Sequence, residues 1–275
     1  MGKRIAFFGP AGTYTEEAAL RYDSGAELQA FPTIAAVGHA VSSGITEEGV
    51  VPIENSLEGS VTYTLDLLIS QSGLAIWQEI VLPIDHYLMA KPGARTEDVQ
   101  VIYSHPQALG QCRKFLERCF PQAQQMASLS TVAAVLDMKA SAVPAAAIAP
   151  RRAAELHGAA IIAQSIQDYP NNVTRFVVLA RTDHEPTGRD KTSICFSYDQ
   201  DAPSLLFRAL GEFARMGINL AKVESRPTKE VLGRYIFLID CEGHRSDPNV
   251  AEALAGLQRQ VSMLKVLGSY PRWGA

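Results

Sequence analysis

Polar side chains gather at the start of an apolar run in Asn171–Leu179, whose sequence is NNVTRFVVL. Arg175 carries a planar guanidinium that suits bidentate binding of a carboxylate, although a surface ion pair is the alternative. Thr174 supplies a hydroxyl, but the G-x-S-x-G turn of a serine hydrolase is absent. The tripeptide that begins at Asn172 also fits the N-x-T glycosylation pattern. These residue types predict a site for a small anion at the mouth of a buried strand.

A second polar cluster, GPAGTYTEEA, occupies Gly9–Ala18. It lies at a predicted turn from strand to helix, where free N–H groups of a helix N-terminus could bind an anion. The spacing is not G-x-G-x-x-G, so no dinucleotide fingerprint is present. Thr13 is followed three residues later by Glu16, which makes a capping box the alternative explanation.

A third cluster, PIENSLEGSV, occupies Pro52–Val61 and contains Asn55 and Ser56. It follows a predicted buried strand. Ligands of parallel sheets usually bind at the carboxyl ends of strands, which favours a binding loop. A solvated loop with Asx and Ser turns is equally compatible with the sequence.

The fourth cluster is SHPQALGQC, which begins at Ser104. His105 could act as an acid or base, because its unperturbed pKa is near 6.5. A single histidine at a helix start is more often structural. Ser104 and Gln107 also have capping-box spacing.

Composition excludes several classes of function. The chain has 275 residues, and its net charge of −4 gives no overall basic field for nucleic acid or anionic lipid. The four cysteines form no C-x-x-C pair and no zinc-like spacing with histidine. We see neither a signal-peptide pattern nor an apolar run near the roughly 20 residues that span a bilayer. We therefore expect a cytoplasmic protein with free thiols, no metal, no membrane or nucleic-acid partner, and no glycan on Asn172.

The elements that must position these clusters alternate between strands and helices. Apolar runs and helical periodicity predict two α/β units in series, which suggests two lobes with a cleft between them. The predicted strands of the first unit are Ile5–Phe8, Glu27–Phe31 and Gly49–Ile53. In the second unit we predict a strand at Val99–His105, a helix at Pro106–Cys119, and strands at Ala127–Leu129 and Ala145–Ala149.

A charged stretch without periodicity ends this part and predicts an interdomain linker at residues 182–190. The remainder, residues 191–275, has the order βαββαβ, which is the ferredoxin-like arrangement. Its second predicted helix is Asn249–Met263. Such small domains often pair, so we expect an oligomer.

The four clusters occur in the order and spacing of the prephenate dehydratase family, and GINLAKVESRP resembles the ACT regulatory domain attached to that enzyme. The resemblance runs from Lys3 to about Tyr270 and includes no chorismate mutase or dehydrogenase region, which indicates the monofunctional type. It implies an α/β fold with a two-lobed catalytic domain, similar to periplasmic binding proteins, in residues 1–181. The implied lobes are 1–80 with 164–181, and 81–163. Residues 191–275 would form the ACT domain.

The resemblance also implies a lyase that converts prephenate to phenylpyruvate in phenylalanine biosynthesis. Aromatisation drives the reaction, so no cofactor is required. Thr174 of the T-R-F motif would be the catalytic residue and would donate to the leaving hydroxyl. By the same match, the candidate substrate contacts are Arg175, Phe176, Asn172, Thr13, Asn55, Ser56, Ser104, His105 and Gln107.

The family is inhibited by phenylalanine, which binds its ACT domain through the motifs E-S-R-P and G-A-L. E-S-R-P is intact as Glu224, Ser225, Arg226 and Pro227, but Ser204, Leu205 and Leu206 replace G-A-L. A serine in place of glycine adds a side chain where the backbone would approach the ligand. We therefore expect weaker inhibition by phenylalanine, in a homodimer or homotetramer.

Two alternatives remain open at this point. Arogenate dehydratase performs the same elimination on a substrate with an amine in place of the ketone, and the motifs do not separate the two activities. A non-catalytic amino-acid sensor would combine the same domains. The intact sequence Thr174-Arg175-Phe176 argues against the sensor.

Overall fold

The computed structural model describes residues 2–71, 73–200, 202–229 and 233–274. Its strands, in chain order, are β1 Arg4–Phe8, β2 Glu27–Phe31, β3 Glu48–Asn55, β4 Gly59–Ser60, β5 Ala75–Pro83, β6 Tyr87–Ala90, β7 Val101–Ser104, β8 Gln124–Ala127, β9 Ala145–Ala149, β10 Ala160–Ala163, β11 Val173–Ala180, β12 Asp190–Ser197, β13 Leu220–Pro227, β14 Tyr235–Glu242 and β15 Met263–Pro271.

The helices, in chain order, are α1 Tyr14–Tyr22, α2 Ile34–Ser42, α3 Thr62–Ser70, α4 Pro106–Gln111, α5 Arg113–Cys119, α6 Thr131–Ala140, α7 Arg151–His157, α8 Leu205–Arg215 and α9 Pro248–Gln258. A short 3-10 helix covers Thr96–Asp98. Among the residues described, no helix combines the length and the apolar character needed to cross a bilayer.

The first sheet has the strand order β2-β1-β3-β11-β5, and β4 pairs with β3. β1 and β2 are parallel and in register from Arg4 with Glu27. Ile5 and Val51 are completely buried, and so is Val178 of β11. Because β11 lies beside β3, the loops that carry two of the predicted polar clusters come together at one edge of this sheet.

The second sheet has the order β10-β6-β9-β7-β8 and is mixed. β7 is parallel to β8 and β9, whereas β6 is antiparallel to β9 and β10. The run AAAIA of β9 is buried throughout and packs with Val132, Val135 and Met138 of α6. The predicted helix Pro106–Cys119 is divided into α4 and α5 at Cys112, whose backbone φ of −112° and ψ of 16° leave the helical region.

The third sheet is antiparallel and has the order β13-β14-β12-β15. Its elements follow as β12-α8-β13-β14-α9-β15, which confirms the predicted βαββαβ arrangement. Phe196, Phe213 and Ile239 are fully buried between the sheet and its two helices.

Contacts along the chain define two compact units. The first contains Met1–Val37, Val50–Val61 and Val81–Phe176, and the second contains Gly38–Gly49, Thr62–Ile80 and Val177–Ala275. This grouping differs from the predicted division at the linker 182–190, which stays a prediction.

Candidate active site

The first unit contains a cavity of about 350 Å³, a volume in the range of small-molecule sites. It lies where β1 and β3 end and where α1, α4 and α6 begin. Its lining residues are Phe8, Tyr14, Thr15, Pro52, Asn55, Val61, Ile84, His86, His105, Gln107, Ala108, Gln111, Leu129, Ser130, Thr131, Asn172, Thr174 and Phe176.

Thr174 and Phe176 line this cavity, and Arg175 between them does not. Successive side chains of a strand point to opposite faces of the sheet, so Thr174 and Arg175 cannot share a face of β11. The Arg175 guanidinium instead pairs with the Glu54 carboxylate of the neighbouring β3, at 3.1 Å. This ion pair braces two adjacent strands and favours a positioning role for Arg175 over contact with substrate.

Asn55 fixes the direction of the Thr174 hydroxyl. The Asn55 Oδ1 accepts hydrogen bonds from the backbone N–H groups of Leu57, at 2.9 Å, and Glu58, at 3.1 Å. Its Nδ2 donates to Thr174 Oγ1 at 2.8 Å and to Asn172 Oδ1 at 2.8 Å. Because the Thr174 oxygen accepts from Asn55, its own hydrogen remains available to donate to another group.

Gln111 continues this hydrogen-bonded chain along the cavity wall. Its Oε1 accepts from Asn172 Nδ2 at 3.2 Å and lies 2.8 Å from His86 Nε2. Its Nε2 donates to Glu58 Oε1 at 3.2 Å. Burial lowers the pKa of His86, against the smaller opposing effects of its Gln111 hydrogen bond and of Asp85. A neutral imidazole therefore ends the chain.

The cavity lining contains neither lysine nor arginine among the residues described. It does contain the first residues of two helices, Tyr14 and Thr15 of α1 and Thr131 of α6. Ser130 caps α6 by accepting from the N–H of Ala133 at 2.9 Å. Helix N-termini attract anions through their free N–H groups and their dipole. The start of α6 can therefore attract an anion without a basic side chain, whereas the first turn of α1 already carries the carboxylates of Glu16 and Glu17.

The remaining predicted contact in the glycine-rich turn, Thr13, does not line the cavity. Its Oγ1 accepts from the N–H of Glu16 at 3.4 Å and donates to the Pro10 carbonyl at 3.0 Å. The Glu16 carboxylate accepts from the N–H of Gly12 at 2.7 Å. These bonds satisfy the turn and the helix start, which favours the capping alternative for Thr13.

Two predicted serines also lie outside the cavity lining. The Ser104 hydroxyl is completely buried and donates to the Ile148 carbonyl at 2.7 Å. Ser56 Oγ accepts from the N–H of Val173 at 3.0 Å and so joins the loop after β3 to the start of β11. Both geometries favour support of the strands over substrate contact.

His105 and Gln107 both line the cavity, as does Asn172. The His105 Nδ1 accepts from the N–H of Gln107 at 3.3 Å, which caps the short helix α4. The structure thus brings together Thr174, Phe176, Asn172, Asn55, His105 and Gln107 from the predicted set.

The sequence analysis missed several cavity residues, among them Tyr14, His86, Gln111, Ser130 and Thr131. Gln111 lies four residues after Gln107, and that spacing places both on one helix face, which was a usable signal. Tyr14 donates to the Asp85 carbonyl, and burial holds its pKa well above the usual value. Tyr14 lies within the second polar cluster, Gly9–Ala18, but was not singled out there, and His86 belongs to none of the four clusters.

Comparison with known protein families shows to which family the chain belongs. The family described as prephenate dehydratase matches residues 5–184, and the ACT domain matches residues 200–258. The chain belongs to the prephenate dehydratase family. This confirms the resemblance found in the sequence, including the attached ACT domain.

One curated relative and two solved structures are similar to this chain over nearly its whole length. The bifunctional chorismate mutase/prephenate dehydratase of Aquifex aeolicus is 41% identical over 98% of this chain and 74% of its own length. The structure of prephenate dehydratase with L-Phe from Arthrobacter aurescens is 37% identical, with a TM-score of 0.91 over 98% of this chain and 90% of that chain. The structure of GqqA, described as a novel type of quorum quenching acylase, is 30% identical, with a TM-score of 0.89 over 99% of each chain.

The ACT domain of this prephenate dehydratase family member has a cavity of its own, of about 340 Å³. Ser204, Leu205 and Leu206, the residues that replace G-A-L, all line it. Ser204 has a φ of +70°, a left-handed conformation that favours glycine. This conformation explains why glycine suits the position in the motif.

The E-S-R-P motif forms the end of β13, and its side chains have different environments. Glu224 pairs with Lys222 at 3.2 Å, whereas Ser225 and Pro227 are exposed. Arg226 is buried and reaches α3, where it pairs with the Asp66 carboxylate at 2.9 Å. The motif arginine therefore contacts a helix of the catalytic region.

Proposed function

We propose that this chain catalyses the decarboxylating elimination of water from prephenate to give phenylpyruvate. The supporting observation is the hydrogen bond from Asn55 Nδ2 to Thr174 Oγ1, which leaves the threonine hydrogen free at the wall of the cavity. Family membership supplies the reaction class, and the orientation of this hydroxyl supports a role for Thr174 as donor.

In the proposed reaction the bond from the ring to its carboxylate breaks, and carbon dioxide leaves. The electron pair enters the ring and expels the hydroxyl on the opposite carbon, which takes up a proton and departs as water. The ring becomes aromatic, so neither an oxidant nor a reductant is needed. Thr174 donates a hydrogen bond to the departing oxygen, and such a donor stabilises a developing oxyanion by about 3–4 kcal/mol.

Substrate binding is assigned to the N-terminus of α6. The N–H groups there and the Thr131 hydroxyl would hold the carboxylate of the pyruvyl group. The ring carboxylate must leave as a neutral molecule, so a strong grip on that group would oppose the reaction. Asn172 and Phe176 complete the wall, and Arg175 braces β11 through Glu54.

For regulation we assign phenylalanine as an inhibitor that binds the ACT domain. The Arg226 guanidinium lies 3.4 Å from the Thr62 carbonyl oxygen at the start of α3 and also pairs with Asp66. In the chain Thr62 directly follows Val61, which lines the catalytic cavity. A change of β13 on effector binding would thus act on α3, whose first residue is covalently joined to a cavity residue.

An ultraviolet assay of product formation tests the proposal directly. Purified protein is given prephenate or arogenate in parallel, each with and without phenylalanine. Phenylpyruvate from prephenate, with partial inhibition by phenylalanine, is the expected result. If only arogenate gives product, the substrate is arogenate and not prephenate. If neither compound gives product, the proposed enzymatic function is wrong and an amino-acid sensor is favoured.

The assembly and the domain division are proposals of the same kind. We expect a homodimer or homotetramer by light scattering, and a monomer would contradict this. Limited proteolysis should cut first within residues 182–190 if these form the interdomain linker. A first cut inside residues 1–181 would contradict that division.

A further inference from the structure

His86 is a buried residue of the cavity wall, and no step of the proposed reaction uses it. It lies between β5 and β6, its side chain is only 4% exposed, and it lines the catalytic cavity. Its Nε2 is 2.8 Å from Gln111 Oε1. Its Nδ1 is buried and has no hydrogen-bond partner among the residues that the structure describes. A buried polar atom without a partner is costly, so the position calls for an explanation.

The amide orientations that lead to His86 are determined by the backbone. Peptide N–H groups can only donate, so those of Leu57 and Glu58 require the oxygen of the Asn55 side chain to face them. The Asn55 amide nitrogen must then face Thr174 and Asn172. The direction of the chain is therefore fixed at this end by groups that neither ionise nor rotate.

The remaining orientations follow one from another. Asn172 must present its oxygen to the Asn55 nitrogen, so its own nitrogen faces Gln111. Gln111 must then present its oxygen, which lies next to His86 Nε2. A hydrogen bond can form at that contact only if His86 donates. The neutral imidazole must carry its hydrogen on Nε2 and leave Nδ1 bare.

We propose that His86 is a positioning residue for this reaction: its Nε2–H holds the Gln111 oxygen and thereby keeps the Gln111 and Asn172 amides in place in the cavity wall beside Thr174. The inference rests on the proposed dehydratase function. With the histidine donor in place, both acceptor sites of the Gln111 oxygen are filled and its NH₂ group faces Glu58 and the cavity. Without that donor, one acceptor site of the Gln111 oxygen is empty, and the Gln111 and Asn172 side chains lose the partner that holds them in place in the cavity wall.

The charges around His86 are consistent with a neutral ring. Burial lowers its pKa, and protonation would place a hydrogen on Nδ1, for which the described part of the chain offers no acceptor. The nearest acidic group is Asp85, which acts in the opposite direction and accepts from Gln167 Nε2 at 2.6 Å. Glu58 lies one hydrogen bond further away, on Gln111. Burial is the largest of these effects on the pKa, so the ring stays uncharged at neutral pH.

Nuclear magnetic resonance of protein labelled with ¹⁵N-histidine tests the tautomer without any turnover. We expect a neutral His86 ring with the hydrogen on Nε2 at neutral pH. A hydrogen on Nδ1, or a charged ring, would overturn the inference. This measurement separates the inference from the proposed function, because it needs no substrate. If wild-type protein gave no product from prephenate, the function would fail whatever the tautomer.

Kinetics of two substitutions test the positioning role. His86→Leu removes the donor, and we expect kcat per folded protein to fall at least about tenfold while KM changes less than about threefold. His86→Gln retains an N–H near the Nε2 position and should restore kcat to within about threefold of wild type. It should also remove any loss of activity at low pH caused by protonation of the ring. His157→Leu, on α7 away from the cavity, is the matched control.

The outcomes of this comparison are decisive. Equal kcat for wild type and His86→Leu, with folded fractions measured by circular dichroism, would overturn the positioning role. So would a His86→Gln protein as impaired as His86→Leu, because rescue by a neutral donor is the distinguishing expectation. If His86→Leu does not fold, the comparison of His86→Gln with wild type across pH still tests the inference.

Discussion

Replacing Thr174 by valine removes the proposed donor while keeping the volume of the side chain. Thr174 is only 8% exposed, and its oxygen accepts from Asn55 at 2.8 Å. Loss of one preorganised donor to a developing oxyanion costs about 3–4 kcal/mol in the transition state. Such a loss corresponds to a fall in kcat of roughly 100- to 1,000-fold.

The effect should be confined to the transition state, since the leaving oxygen carries little charge in bound prephenate. We therefore expect KM to change less than about threefold, because uniform binding is retained. Steady-state kinetics of phenylpyruvate formation measure both constants. Thr174→Ser keeps the hydroxyl and serves as the matched control, with kcat expected within about tenfold of wild type.

Stability must be separated from catalysis in this experiment. Valine removes one acceptor of the Asn55 Nδ2, which keeps Asn172 Oδ1 at 2.8 Å and the Val173 carbonyl oxygen at 3.3 Å, so we expect the free energy of unfolding to fall by about 1 kcal/mol. Urea unfolding gives the folded fraction under assay conditions, and kcat is then expressed per folded protein. A kcat for Thr174→Val within threefold of wild type, or about 0.65 kcal/mol, would refute the donor role.

Three further predictions follow from single contacts. Asn55→Asp places a carboxylate oxygen beside Thr174, and this oxygen would accept the threonine hydrogen, so kcat should fall at least about tenfold in steady-state assays. An unchanged kcat would contradict the direction derived for the hydrogen bond from Asn55 to Thr174. Gly268→Ala would place a methyl group 2.4 Å from the backbone oxygen of Ile76, and we expect about 3 kcal/mol or more of lost stability in urea unfolding; a loss below about 1 kcal/mol would count against this close packing. Ser204→Gly relieves a φ of +70°, so it should stabilise the protein by about 1 kcal/mol and strengthen inhibition by phenylalanine; a lower melting temperature would argue against both.

The regular elements were predictable where apolar runs end at turn residues. Glu27–Phe31 and Ala145–Ala149 have the same bounds in the sequence analysis and in the structure. The strand expected at Ala127–Leu129 instead occupies Gln124–Ala127. All residues of that strand are exposed, so no buried apolar pattern marks it, and Leu129 belongs to the cavity wall.

Helix ends were less accessible to sequence reasoning. The predicted helix Asn249–Met263 ends at Gln258, and Met263 begins β15. Apolar residues continue at helical spacing through this boundary, because the start of the strand packs into the same core. The division at Cys112 is hidden for a related reason, since the segments on both sides of it are helical.

The sequence predicted which residues lie near the candidate site better than it predicted what each of them does there. Successive side chains of a strand alternate between its two faces, so Thr174 and Arg175 point in opposite directions. This alternation alone favours a role for Arg175 in bracing the strands. The bond from Ser104 to the Ile148 carbonyl joins residues 44 positions apart, and no local pattern predicts it. The same holds for Asn55 and Thr174, which are 119 positions apart.

The direction of the hydrogen-bonded chain has a consequence for the pH dependence of the reaction. Between the peptide N–H groups of residues 57 and 58 and the Thr174 hydroxyl stands only the Asn55 amide, which does not titrate. Proton uptake at His86 would instead disturb the Gln111 and Asn172 amides at the other end of the chain, where the Glu58 carboxylate is a second ionisable group in contact with Gln111. Because burial lowers the pKa of His86, that disturbance is displaced to more acidic pH than for an exposed histidine. In the proposed mechanism the Thr174 donor is therefore oriented by an amide whose direction does not change across the neutral range.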